Sequence, residues 1–300
     1  MKARQSGMTL AELLVALAVG LGVLLAGAVL MVSANKAYVA HEDAAGIDDG
    51  GRYALALIGR AVRQGAFVDW ERHGPPDKNA PAPLAGLDSR SLVKTSFGID
   101  DPVTSAVNGS DVLAVRYGGA GGAPDGDGSV VDCAGFTVHE AKDGWSIFYV
   151  ARNGDGLAEL RCKYKGAANW SADAVVAGVD GFQVLYGLDT DTPTDGIPNR
   201  YVNASALAAL DAALAPGERN EKTAWKRVAS VQVALLLHGE QASSAPVQPD
   251  AYALFGAAYG AAQGSADAGV QLTRAELDGG RPAPARRLFT AVYAVGAPQP

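Results

Sequence analysis

The chain has 300 residues, enough for one large domain or two small ones, with 48% apolar and only 19% charged residues. A formal net charge of -7, and no Lys/Arg run longer than the Arg286-Arg287 pair, argue against a general nucleic-acid binder. No G-x-S-x-G elbow, P-loop or H-E-x-x-H occurs, and the Gly-rich stretches lack the strand-to-helix order of phosphate sites, which argues against an enzyme.

From Leu13 to Val32, twenty residues pass without a charge. At about 1.5 Å per residue this run just crosses a hydrocarbon layer of roughly 30 Å. Lys2 and Arg4 precede it. The positive-inside tendency then places the N-terminus in the cytoplasm and everything after Lys36 outside. A secretory signal peptide cut near Ser33-Ala34-Asn35 is the competing reading. The length of the run, and its passage without a turn signal into a helical pattern, favour a retained anchor. Gly20, Gly22, Ala26, Gly27 and Ala28 permit close approach of a neighbouring helix, or serve as small lipid-facing filler.

One carboxylate, Glu12, stands at the front of this run, where it either marks the membrane edge or is kept for a partner. A cut after Gly7 would create an α-amino group at Met8, about one helical turn from Glu12. In an assembly, one subunit's Glu12 could meet another's amine, a buried pair that sets register more than it adds stability. The stretch "GMTLAELLVALAVG" resembles the class III signal of type IV prepilins and pseudopilins. That resemblance implies a leader at 1–7 ending in Gly7, and cleavage by a membrane-embedded prepilin peptidase that also N-methylates Met8. It also implies an assembly role for Glu12. Met8 replaces the usual Phe, and Ala11 stands where a larger aliphatic residue is common.

The next stretch places Tyr53, Leu57, Ile58, Ala61 and Val62 at helical spacing and predicts an amphipathic helix ending near Gly65. Gly46 and "DDGG" at 48–51 predict a weak or kinked middle. "GRYALALIGRAVRQGAF", through Arg52, Tyr53, Arg60 and Arg63, resembles the post-anchor signature of PilW-family minor pilins. "DWERHGPPDKN" and "APAPLAG" predict a loop.

The remainder reads as strands: "DVLAVRYG", a pair around the Lys142-Asp143-Gly144 turn, "LAELRCKY", "VDGFQVLYGLD", "VASVQVALLLHG" and "RRLFTAVYAVG". The fold class expected is α+β: a long N-terminal helix packed on a mostly antiparallel β head, since a sheet must bury its apolar face against another layer. The order of these blocks also resembles the PilW family, with diverged loops at 68–108, 200–224 and 239–280.

Cys133 and Cys162 are the two cysteines; outside the cytoplasm such a pair invites a disulfide, with free buried thiols or a metal or redox role as alternatives. Asp189, Asp191, Asp195 and Asn199 lie on a Gly/Pro turn whose oxygens suit a hard cation such as calcium. The spacing departs from an EF-hand loop, and an ordinary inter-strand turn is the alternative.

The domain expectation is a leader at 1–7, a long helix at 8–66 (membrane or filament-core part 8–32, amphipathic part 33–66) and a β-rich head at 67–300. The resemblance implies a non-catalytic minor pilin in the bacterial inner membrane and then the surface pilus. Its partners would be other minor pilins, the major pilin, the assembly platform, the prepilin peptidase/N-methyltransferase and, before assembly, membrane lipid. A type II secretion pseudopilin and a pilus-tip binding module are the alternative functions.

Overall fold

The computed structural model describes residues 7–65, 67, 77–242, 248–278 and 284–296. Most of the loop expected over 69–79 lies outside the described residues. Two compact units divide the chain, Met1–Ala45 and Gly46–Pro300.

A single helix, α1, runs from Leu10 to Gln64. The helix runs on through Gly46–Gly51, where a weak or kinked middle was expected. In the first unit the helix is exposed almost throughout, and it is the one helix among the described residues apolar and long enough to cross a membrane. In the second unit, Ile47, Gly51, Ala54, Leu57, Ile58, Ala61 and Val62 form a buried stripe. The spacing of three and four residues between them is one face of a helix. Burying a side chain such as Ile58 or Val62 fully contributes about 1.5–3 kcal/mol.

The glycines of this segment have a packing role. A Cβ on Gly50 would lie 2.8 Å from Val176, one on Gly51 2.4 Å from the Phe289 ring, and one on Gly59 2.4 Å from the Tyr293 ring. The sequence cost of glycine in a helix is therefore offset by close approach of the head. Tyr293 Oη donates to the Leu55 carbonyl at 2.6 Å, and the Arg63 guanidinium lies 5.8 Å from the centre of the Tyr293 ring. The helix stops at Gly65, whose N–H bonds the Ala61 and Val62 carbonyls.

The head holds two main antiparallel sheets. The first is a meander of β1 (Leu84–Leu87), β2 (Val112–Gly118), β3 (Asp143–Arg152), β4 (Ala158–Lys165) and β5 (Trp170–Ala177), ordered in space as in sequence. The second has the order β11 (Pro284–Ala294), β8 (Val228–Ala242), β6 (Val179–Leu188), β7 (Arg200–Val202). A small pair, β9 (Ala251–Ala253) and β10 (Gln271–Thr273), completes the set. The main core joins α1 residues to Val115, Phe148, Leu160, Phe182, Tyr186 and Leu235 from both sheets.

Each sheet is covered on its second face too. Leu254 and Leu272 pack on Ala234 and Leu236 behind the second sheet. Leu92 packs with Ile147, Tyr149 and Trp170 behind the first. This explains why all ten residues of β6 are buried, and why "VQVALLL" reads as a run rather than an alternation. Asp111 ties the two sheets together: Oδ1 accepts from the Ser89 N–H and Oδ2 from the Val184 N–H, both at 2.9 Å. Burial, followed by the nearby Asp88 charge, pushes its carboxyl well above the usual range.

Three sequence expectations differ from what is observed. "PLAG", read as loop, supplies β1 because its edge pairs with β2. "WSADAVVA" forms the unforeseen edge strand β5. "GFTVHEA" makes only the Val131–Thr137 bridge, so the strand pair around Lys142 reduces to β3 alone.

Candidate functional site

Gly7, Met8 and Thr9 precede α1 in non-helical backbone, and Met8 is 71% exposed. The Gly7–Met8 bond therefore lies outside the helical hydrogen-bond ladder. Thr9 and Glu12 form a capping box. Glu12 Oε2 accepts from the Thr9 N–H at 2.8 Å and from its hydroxyl at 3.0 Å, while the Glu12 N–H bonds Thr9 Oγ1 at 3.3 Å. Thr or Ser followed three residues later by Glu is a helix-start signature, and it is visible in "TLAE". Thr273 and Glu276 repeat the arrangement at another helix start, with bonds of 2.8 and 2.7 Å. A Cβ on Gly20, Gly22 or Gly27 would meet nothing within 4 Å, so α1 has room for a close neighbour at each of these positions, Gly20 and Gly27 on one side and Gly22 on the other.

Cys133 and Cys162 are joined in a disulfide with Cα atoms 5.9 Å apart. It fixes the 131–136 loop to β4. The same loop reaches α1: Arg60 Nη2 donates to the Asp132 carbonyl at 3.2 Å and Gln64 Nε2 to the Val131 carbonyl at 3.0 Å. All four of Arg52, Tyr53, Arg60 and Arg63 are exposed, but Arg60, through the Asp132 carbonyl, and Arg63, over the Tyr293 ring, touch the head. Beside the disulfide, the Lys163 ammonium donates to the Val93 carbonyl and Ser96 hydroxyl. Burial lowers its pKa to about 8, with the Asp100 charge opposing.

Asp189, Asp191 and Asp195 place carboxylate oxygens within 4.8 Å of one another, a cluster that could hold a divalent ion such as calcium. The loop already uses several of these atoms. Asp189 Oδ1 accepts from the Asp191 N–H, and Oδ2 accepts from those of Asp195 and Gly196. Burial raises the Asp189 carboxyl, but these three donors and the Arg227 cation outweigh it and hold the group below its usual range. Asn199 joins the cluster differently from the other three. Its side-chain oxygen accepts from Thr190, and its amide donates to Asp191 Oδ2 at 3.0 Å.

Residues 147–295 match the family described as Type IV Pilus-assembly protein W. The matched stretch runs from within β3 through β11, the C-terminal half of the chain. No curated protein matches the chain. Among solved structures, a type IV-like pilin from Thermus thermophilus aligns at 14% identity with a TM-score of 0.38, covering 83% of this chain and 96% of that one. A likeness at that score carries no weight here. The chain thus has an α+β fold of the pilin kind, partial homology to the PilW family, and a type-IV-pilin-like structural role.

Two features escaped the sequence reading. The capping box was legible in the spacing of Thr9 and Glu12. The role of Gly50, Gly51 and Gly59 was not, because the side chains that need those gaps, Val176 of β5 and the Phe289 and Tyr293 rings of β11, come from more than a hundred residues away in sequence.

Proposed function

We propose that this chain is a minor pilin: a non-catalytic subunit that takes part in initiating and assembling a type IV pilus. The match of residues 147–295 to the pilus-assembly family carries this reading. The exposed apolar length of α1 supports it. In this reading α1 crosses the bacterial inner membrane with its N-terminus in the cytoplasm and the head outside. The leader ends at Gly7, the prepilin peptidase cuts there, and Met8 becomes the N-methylated first residue. Glu12 then registers the subunit against a neighbour's amine in a low-dielectric interior.

Assembly in this scheme is non-covalent. The apolar face of α1 leaves lipid for other pilin helices, and small residues allow close packing. The head makes the contacts that select other minor pilins, the major pilin and the platform.

The test is N-terminal and intact mass measurement on protein from its native membrane and from sheared fibres. The expected result is a chain beginning at N-methylated Met8 in both fractions. A chain beginning after Ala34, or an uncut Met1, would overturn the proposal. Loss of protein secretion with normal pili in a deletion strain would move the chain to the secretion pseudopilins.

A further inference from the structure

The chain holds three Asn-x-Ser triplets: Asn108-Gly109-Ser110, Asn169-Trp170-Ser171 and Asn203-Ala204-Ser205. Outside the cytoplasm this triplet is the acceptor pattern for N-linked saccharides, and it belongs to surface loops, because the added group is bulky and polar. The fold separates the three. The Asn108 amide donates to the Asp180 carbonyl at 2.8 Å. Its Ser110 is fully buried, donating to the Val107 carbonyl at 2.6 Å and accepting from the Phe182 N–H at 3.2 Å. Asn203 caps the helix Ala204–Asp211: Oδ1 accepts from the Ala206 N–H at 3.0 Å, and Nδ2 donates to Asp267 Oδ1 at 3.1 Å. Both asparagines spend their amides on the fold.

Asn169 differs. It ends the 166–169 turn between β4 and β5, where the Gly166 N–H bonds its carbonyl at 3.0 Å. Ala167, Ala168 and Asn169 are all exposed. Among the described residues the Asn169 side chain makes no hydrogen bond. Strand β5 lies at the edge of the first sheet and pairs with β4 alone. Asn169 and Ser171 flank its first residue, Trp170, so the triplet sits where an edge strand opens with least disturbance to the rest of the sheet. Toward the other end of β5, Val176 packs under Gly50 of α1. A strand rise of about 3.3 Å per residue puts Trp170 about 20 Å from that contact. A group added at Asn169 therefore leaves the contact of β5 with α1 untouched.

We propose that Asn169 is the acceptor of an N-linked saccharide, transferred outside the cytoplasm from a lipid pyrophosphate donor by a membrane transferase. In the transfer, Asn169 Nδ2 forms a bond to the anomeric carbon of the sugar. The bond from that carbon to the pyrophosphate oxygen breaks, the pyrophosphate leaves with the electron pair, and the amide loses one proton. The Ser171 hydroxyl is the group the transferase reads at the third position of the triplet. The proposal rests on the pilin reading for the compartment alone, since that reading puts the head on the donor's side of the membrane.

The test is mass spectrometry of the intact chain and its peptides, from membranes and sheared fibres of the native host. It compares full-length wild type with Asn169→Gln, Ser171→Ala and Ser171→Thr, the last a β-branched residue suited to a strand. Wild type and Ser171→Thr are expected to carry saccharide mass on the peptide that holds Asn169. Asn169→Gln and Ser171→Ala are expected to lose it, with unchanged melting of the purified proteins. The peptides that hold Asn108 and Asn203 should be bare. A wild-type chain that begins at Met8 and enters fibres with Asn169 bare would overturn this inference alone. Saccharide on Asn169 in a chain cut after Ala34 and absent from fibres would overturn the pilin reading and support the acceptor. Saccharide that survives Asn169→Gln or Ser171→Ala would overturn the assignment to this triplet.

Discussion

Glu12 holds Thr9 by both its N–H and its hydroxyl, through the single oxygen Oε2. The carboxylate read from the sequence as an assembly group thus also starts its own helix. The two roles separate by substitution. Glu12→Ala should retain anchoring and leader removal but fall out of sheared fibres. Thr9→Val, which loses about 1 kcal/mol of capping, should still be incorporated. Quantifying both in the fibre fraction decides the matter. Equal loss would mean that capping explains the conservative part of the phenotype and that Glu12 has no separate assembly role.

Gly7 has nothing within 4 Å of a Cβ position, so a larger residue there has space in the free chain. Any effect of Gly7→Glu therefore reports on processing rather than folding. The variant should keep its leader, seen as an intact mass that begins before residue 8. A mature mass equal to wild type would refute the cleavage position.

Gly51 and Gly59 meet the rings of Phe289 and Tyr293 where a methyl group would stand. Alanine gains about 1 kcal/mol of helix propensity at each site but must displace a partly buried ring, at about 1–3 kcal/mol. Gly59→Ala should lower the melting temperature of the head, whereas Gly20→Ala, with open space around it, should not. Thermal unfolding of the two purified variants gives the comparison.

The Cys133–Cys162 bond closes a loop of 29 residues in sequence separation. Chain entropy alone assigns such a closure about 3–4 kcal/mol. Cys133→Ser/Cys162→Ser should therefore lower the denaturant midpoint with an increased m-value, as the unfolded chain expands. The loop's bonds to Arg60 and Gln64 should keep the folded form native-like in near-UV circular dichroism.

Asp111 gives a pH dependence with an unusual sign. Its carboxyl is raised by burial and by Asp88, so the folded chain holds this proton more tightly than the unfolded chain. Its contribution to stability is therefore fullest below the ordinary aspartate range and declines as pH climbs toward the raised value. Asp111→Asn leaves one of the two bonded N–H groups without its carboxylate oxygen, at about 1–3 kcal/mol. The deficit of Asp111→Asn relative to wild type should be largest in acid and shrink as pH rises. Urea unfolding of both proteins between about pH 4 and pH 7 tests this. A deficit that grows with pH would contradict it.

The parts of this molecule that were legible in sequence are those set by local pattern. The apolar run, the spacing of Tyr53 to Val62 and the strands at 112–118 and 179–188 all follow from periodicity. What escaped was decided across the chain. Leu84–Leu87 looks like a Pro-bounded loop until β2 offers it an edge. "DDGG" looks like a helix breaker until Phe289 and Val176 require the gap. The Asp189 cluster was readable as oxygen ligands, but their prior commitment to backbone N–H groups depends on how the loop closes.

The boundary between the two compact units falls within a helix, between Ala45 and Gly46. This limits how such chains can be recombined. A graft that joins a foreign anchor to this head after Gln64 would bring an alien surface under Phe289 and Tyr293 and empty the places of Leu57, Ile58 and Val62. A junction at residue 45 keeps the head's inner helical face intact. Anyone truncating the chain to its head meets the same constraint: the portable piece begins partway along the helix, where an exposed apolar length gives way to a face buried on the head's own sheets.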